Sequence, residues 1–160
     1  VMMQIGENHT TAEWNGGSIS SAQIRTDLLE RIQRVNAGWD VAGLPRGLIT
    51  LVSPWETVGG TKSGSAWYTT VAGIMRDIAR ANTQISFIDL RQMMADRFSA
   101  TELYNASRNA NMNILYDGVH QSLRGLRIHA RLLWHAIMGS SINQSTEYST
   151  ARSERRGIHS

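Results

Sequence analysis

The chain has 160 residues, 41% apolar and 18% charged, which suits one domain with its own core and excludes a highly charged disordered segment. It has no cysteine, which excludes disulfides, thiolate metal sites and a cysteine nucleophile, and no run of about 18 apolar residues, which excludes a transmembrane helix. The net charge of +3 comes almost wholly from arginine, Lys62 being the only lysine; Arg25, Arg31, Arg34, Arg76, Arg80 and Arg91 are scattered, and the local clusters at Arg124, Arg127, Arg131 and at Arg152, Arg155, Arg156 do not amount to a nucleic-acid-binding face.

In chain order, Val1–Ile5 is a short apolar run that reads as a buried strand. It begins at the first residue, so the sequence reads as starting inside a domain, with any upstream targeting signal out of view. Gly6 to Gly17 is a polar loop. Ser20 is placed to cap a helix whose apolar face is Ile24, Leu28, Leu29, Ile32 and Val35, and Gly38 is its expected stop. Leu48–Val52 is a second buried strand, followed by Pro54. Residues 56–65 form a glycine-rich loop, and a helix starts near Ala66 with Val71, Ile74, Met75, Ile78 and Ala79 as its stripe. Ile85–Leu90 is a third strand and Arg91–Arg97 a short helix. Residues 99–113 fit neither period. Asp117-Gly118 marks a turn, and a last helix runs from about Ser122 to Met138 with Ile128, Leu132, Leu133 and Ile137 as its stripe. Residues 139–160 read as a polar tail. Strands apolar on both faces, alternating with helices, predict an α/β fold around a parallel sheet.

Two elements can carry chemistry. Asp117-Gly118-Val119-His120 puts a carboxylate three residues from a histidine in one tight loop. Such a carboxylate can hold one imidazole nitrogen and leave the other as a general base. An ordinary Asp-Gly turn beside an exposed histidine has the same spacing. Gly6-Glu7-Asn8-His9 follows the first strand, and functional groups gather at the carboxyl ends of strands in open α/β sheets. A side-chain amide there can donate to a developing oxyanion, although a polar turn after a strand also looks like this. His129 and His135 are six residues apart on one helix and have no evident carboxylate, so they do not suggest a metal site. Gly59–Gly64 lacks the spacing of a phosphate loop. Trp14 and Trp55 fall in loops after strands, where a tryptophan either stacks on a sugar ring or anchors the loop.

Together these elements resemble the SGNH/GDSL hydrolase family, over residues 1 to about 138. Gly6-x-Asn8 resembles that family's third sequence block and Asp117-x-x-His120 its fourth. "LITLVSP" and "ISFIDL" resemble its following strands. "DGVHQSLRG" is similar to its Asp-Gly-Val-His-Pro-x-x-x-Gly, with Gly125 as the later glycine. His9 stands where the family has aspartate and Gln121 where it often has proline. The first two blocks, including the Gly-Asp-Ser nucleophile, have no matching position. "AIMGSSI", with Ser141, resembles that block only superficially, and Ser18 and Ser65 read as loop serines.

The resemblance implies a flavodoxin-like three-layer sandwich with a parallel sheet, incomplete on its N-terminal side: residues 1–138 would be its C-terminal part and 139–160 a tail or extension. It implies hydrolysis of an O-acyl ester of a carbohydrate or a lipid, with His120 as base, Asp117 orienting it, Asn8 in the oxyanion site and no metal or organic cofactor. It also implies that the first strand pairs with a missing N-terminal segment or another chain. The alternative is a non-catalytic SGNH-like binding or structural module, as in a phage tail or cell-surface protein. The compartment is not legible.

Overall fold

A computed structural model of the chain describes residues 1–4, 20–55 and 66–138. Among these, three short strands form one parallel sheet in the order β1 (Met2–Gln4), β2 (Ile49–Val52), β3 (Ile85–Ile88). Met3 pairs with Leu51, and Leu51 with Phe87. Parallel neighbours need long crossovers, and these contain α1 (Ser21–Val41) and α2 (Ala66–Arg80). After β3 come α3 (Leu90–Ala95), α4 (Ala100–Leu103), a 3-10 turn at Ala110–Met112, and α5 (Leu123–Met138). The described fold is therefore mixed α/β, with a small parallel sheet. No described helix is long and apolar enough to cross a membrane.

Side chains alternate across a strand, and the core divides accordingly. Ile49, Leu51 and Ile85 pack with Ile24, Leu28 and Ile32 of α1 and Val71, Met75 and Ile78 of α2. Val52 and Ile88 pack with Leu90 and Met94 of α3, Leu103 of α4, Ile114, Leu115, and Leu132 of α5. Each such side chain contributes about 1.5–3 kcal/mol through burial. Between β2 and β3 the Ser86 hydroxyl donates to Thr50 Oγ1 at 2.9 Å.

Several boundaries differ from the sequence expectation, each for a local reason. Ser20 caps α1, its Oγ accepting from the Gln23 amide at 3.1 Å. The helix then runs through Gly38, the expected stop, to Val41, and is closed at Gly43. There a residue with φ of +65° lets the Leu44 amide reach the Trp39 carbonyl (2.9 Å) and the Gly43 amide reach Asp40 (3.1 Å). This closure needs a left-handed residue just past the last turn, which Gly43 supplies. β2 starts at Ile49, with Leu48 exposed. β3 stops at Ile88 because Asp89 caps α3, accepting from the Gln92 amide at 3.1 Å, so Leu90 belongs to the helix. Residues 99–113 resolve into α4 and the 3-10 turn; the Ser99 amide and hydroxyl both donate to Glu102 at 2.8 Å. Leu29 and Ile137, expected in apolar stripes, are exposed. The expected loops at 6–17 and 56–65 and the tail at 139–160 lie outside the described residues.

Candidate active site

The segment after the 3-10 turn closes on itself. Leu115 and Gln121 form an isolated antiparallel bridge, and the Tyr116 amide donates to the His120 carbonyl at 2.6 Å. The tight reversal is possible because Gly118 sits at φ +88°. Within it, Asp117 Oδ1 accepts from the amides of Val119 (3.0 Å) and His120 (2.8 Å), while Oδ2 lies 2.7 Å from His120 Nδ1. The His120 amide, then its imidazole, pull the Asp117 carboxyl down to about 2, so it is ionised at neutral pH. An ionised carboxylate requires Nδ1 to carry the proton, which puts the lone pair on Nε2. The His120 side chain is 74% exposed. The loop thus presents an oriented imidazole at the surface.

The loop is held on one side by the end of β2 and on the other by α5 and the segment before the loop. Trp55, just past β2 and Pro54, donates its indole N–H to the Val119 carbonyl at 2.8 Å, which fixes the loop beside the carboxyl ends of the strands. His129, buried on α5, has Nδ1 2.9 Å from the Gln121 amide nitrogen. Its ring lies 6.2 Å from that of Trp55, and burial pushes its pKa down, favouring the neutral form. Ser122 Oγ accepts from the Gly125 amide at 3.0 Å, capping α5, and donates to the Asn113 carbonyl at 2.5 Å. Asn113, also buried, exchanges hydrogen bonds with the backbone of Asn105.

No protein-family model, curated protein or solved structure matches the chain.

Of the residues singled out in the sequence, the fold brings Asp117 and His120 together. Asn8 lies outside the described residues, as do Gly6, His9, Trp14, Ser18, the 59–64 glycines, Ser65 and Ser141. Trp55 anchors the 117–120 loop through its N–H. Among the described residues no group of three His, Cys, Asp or Glu side chains is placed to hold a metal. Residue spacing does not reveal the brace of Gln121 on His129: the two are eight residues apart and only one is helical, so no periodicity links them. Nor does residue spacing single out Ser53. It is fully buried after β2, where its Oγ accepts from the Arg91 amide (3.0 Å) and lies 3.3 Å from Asp89 Oδ1, joining the ends of β2 and β3.

Proposed function

We propose that the chain supplies the histidine–aspartate half of a serine ester hydrolase of the SGNH/GDSL type, acting on O-acyl esters such as carbohydrate acetyl groups or lipids. The observation that carries this is the Asp117 carboxylate, which binds two loop amides through one oxygen and His120 Nδ1 through the other. That arrangement sets the tautomer in which Nε2 can take a proton from a nucleophilic hydroxyl and return it to the leaving alcohol. The position of the loop beside the carboxyl ends of parallel strands supports the reading, as does the Asp-Gly-Val-His sequence with its later Gly125. In this reading the sheet, with apolar side chains from both faces packed against helices, is the C-terminal portion of a flavodoxin-like three-layer sandwich, and Asn8 donates to the oxyanion, an effect worth roughly 3 kcal/mol. The chemistry calls for no metal or organic cofactor.

The test is ester hydrolysis by the polypeptide together with any residues encoded ahead of Val1, using a small activated ester. Turnover should vanish in His120→Ala and fall by about 10⁴ in Asp117→Asn, which loses the correct tautomer. Turnover untouched by His120→Ala refutes the assignment. The 160-residue chain alone should show no His120-dependent turnover. If it does, a serine within it is the nucleophile, and Ser141 is the first to replace.

A further inference from the structure

The hairpin that carries His120 carries an aromatic ring beside it. The Leu115–Gln121 bridge, and the bond from the Tyr116 amide to the His120 carbonyl, set the two arms of the hairpin side by side with Tyr116 opposite His120. Residues opposite each other in an antiparallel pair project to the same face, with Cβ atoms about 4.5–5.5 Å apart, and their neighbours along each arm project to the other face. Burial follows that alternation. Leu115 is fully buried and Gln121 turns inward to His129, whereas Tyr116 is 55% exposed and the His120 side chain 74%. Among the described residues, Tyr116 belongs to neither core cluster. Its ring is thus carried outward beside the imidazole by a hydrogen-bonded backbone, without serving the core.

The chemistry of His120 decides which part of a substrate reaches this face. In the hydrolase reading, on which this inference rests, Nε2 returns a proton to the leaving oxygen. That oxygen therefore comes within hydrogen-bond reach of the imidazole, about 2.6–3.2 Å. The acyl carbonyl is turned instead toward the oxyanion donors. The half of the ester beside Tyr116 is accordingly the alcohol. An aromatic side chain there favours a flat apolar surface. A ring offers such a surface already formed, whereas an open chain has to be immobilised bond by bond to lie along one exposed side chain.

We propose that Tyr116 is a specificity-determining residue for the alcohol half of the ester, favouring a leaving alcohol carried on a ring over one carried on an open chain. It takes no part in proton transfer, so its effect lies in the ratio between substrates rather than in the chemistry itself.

The test compares cyclohexyl acetate with n-hexyl acetate, which share the acyl group and the number of alcohol carbons and differ in ring against chain. The protein is the polypeptide with any residues encoded ahead of Val1. The ratio of kcat/KM for the cyclohexyl over the hexyl ester should fall about fivefold in Tyr116→Ala, the scale of one aromatic contact. It should be unchanged in Tyr116→Phe, which keeps the ring. A general disturbance of the loop lowers both esters together and leaves the ratio where it was, and that result would overturn the proposal. So would a ratio that rises in Tyr116→Ala, the outcome expected of a platform for aliphatic chains, or one that falls as far in Tyr116→Phe as in Tyr116→Ala. Titration with the two product alcohols, followed at the backbone amides of Tyr116, Gly118 and His120 by nuclear magnetic resonance, separates this proposal from the hydrolase reading. Shifts caused by cyclohexanol more than by n-hexanol, and lost in Tyr116→Ala, support the ring site even where no ester is turned over. Equal shifts from the two alcohols count against it even where esters are hydrolysed.

Discussion

Gly125→Ala should be the most damaging single-methyl substitution among the described glycines. A Cβ built on Gly125 falls 2.1 Å from the Ile114 carbonyl oxygen and 3.1 Å from its carbon. The obstacle is backbone in a buried segment, so relief requires the first turn of α5 to withdraw by about an ångström to reach ordinary contact. That movement strains the bonds from the Ser122 hydroxyl to the Asn113 and Ile114 carbonyls (2.5 and 3.1 Å). Overpacking costs about 1–3 kcal/mol, and a weakened buried hydrogen bond about 1–3 kcal/mol. Alanine's better helix propensity returns nearly 1 kcal/mol. The net expectation is a loss of about 3 kcal/mol, or roughly 6–12 °C in melting temperature for a chain of this size. Gly38→Ala and Gly73→Ala are the controls: both residues are helical, with nothing within 4 Å of the added methyl, and each substitution should stabilise by about 0.5–1 kcal/mol. Urea denaturation of the three variants measures this. A Gly125→Ala protein as stable as either control refutes the close approach of α5 to Ile114 and the loop support built on it.

Other consequences follow from the same region. Trp55→Phe keeps an aromatic ring, though a smaller one, and loses the bond to Val119, so it should cost about 1 kcal/mol or more and speed amide exchange at Val119 and His120; unchanged exchange would show that the loop holds itself. Asp117 has a folded pKa of about 2, below its ordinary 3.8, so its stabilisation is present above pH 3.8 and is lost as pH falls toward 2. The side chain is 45% exposed, so solvent screening keeps the effect small; the stability gap between wild type and Asp117→Asn should close through that window, and a gap that does not narrow contradicts the assignment. For His129, burial lowers the pKa below 6.5, so the unfolded chain takes up the proton first and stability falls as pH drops below 6.5. His129→Gln should flatten that limb, and identical pH profiles would show that another group sets it.

Much of the architecture is legible in local pattern. The apolar runs Leu48–Val52 and Ile85–Leu90 contain β2 and β3, and the three- and four-residue spacing of Ile24, Leu28 and Ile32, or of Val71, Met75 and Ile78, marks the faces that α1 and α2 bury. Ser20 as a cap and Asp117-Gly118 as a turn follow from the chemistry of a few neighbouring residues, and so does the meeting of Asp117 with His120. Tertiary structure decided the rest because it depends on partners distant in sequence. Periodicity does not say which glycine will end α1; the closing bonds select Gly43, where the backbone turns left-handed, over Gly38. Nor does the stripe on α5 say that Ile137 stays exposed while His129 is buried, since that depends on what packs against the helix. Trp55 could be read from sequence as either an anchor or a stacking platform, and a hydrogen bond to a carbonyl 64 residues away makes it an anchor. Gly125, one letter in a motif, becomes a packing requirement only when the Ile114 carbonyl is brought against its Cα. Short-range geometry is written in residue spacing, whereas long-range contact exists only once the chain has folded.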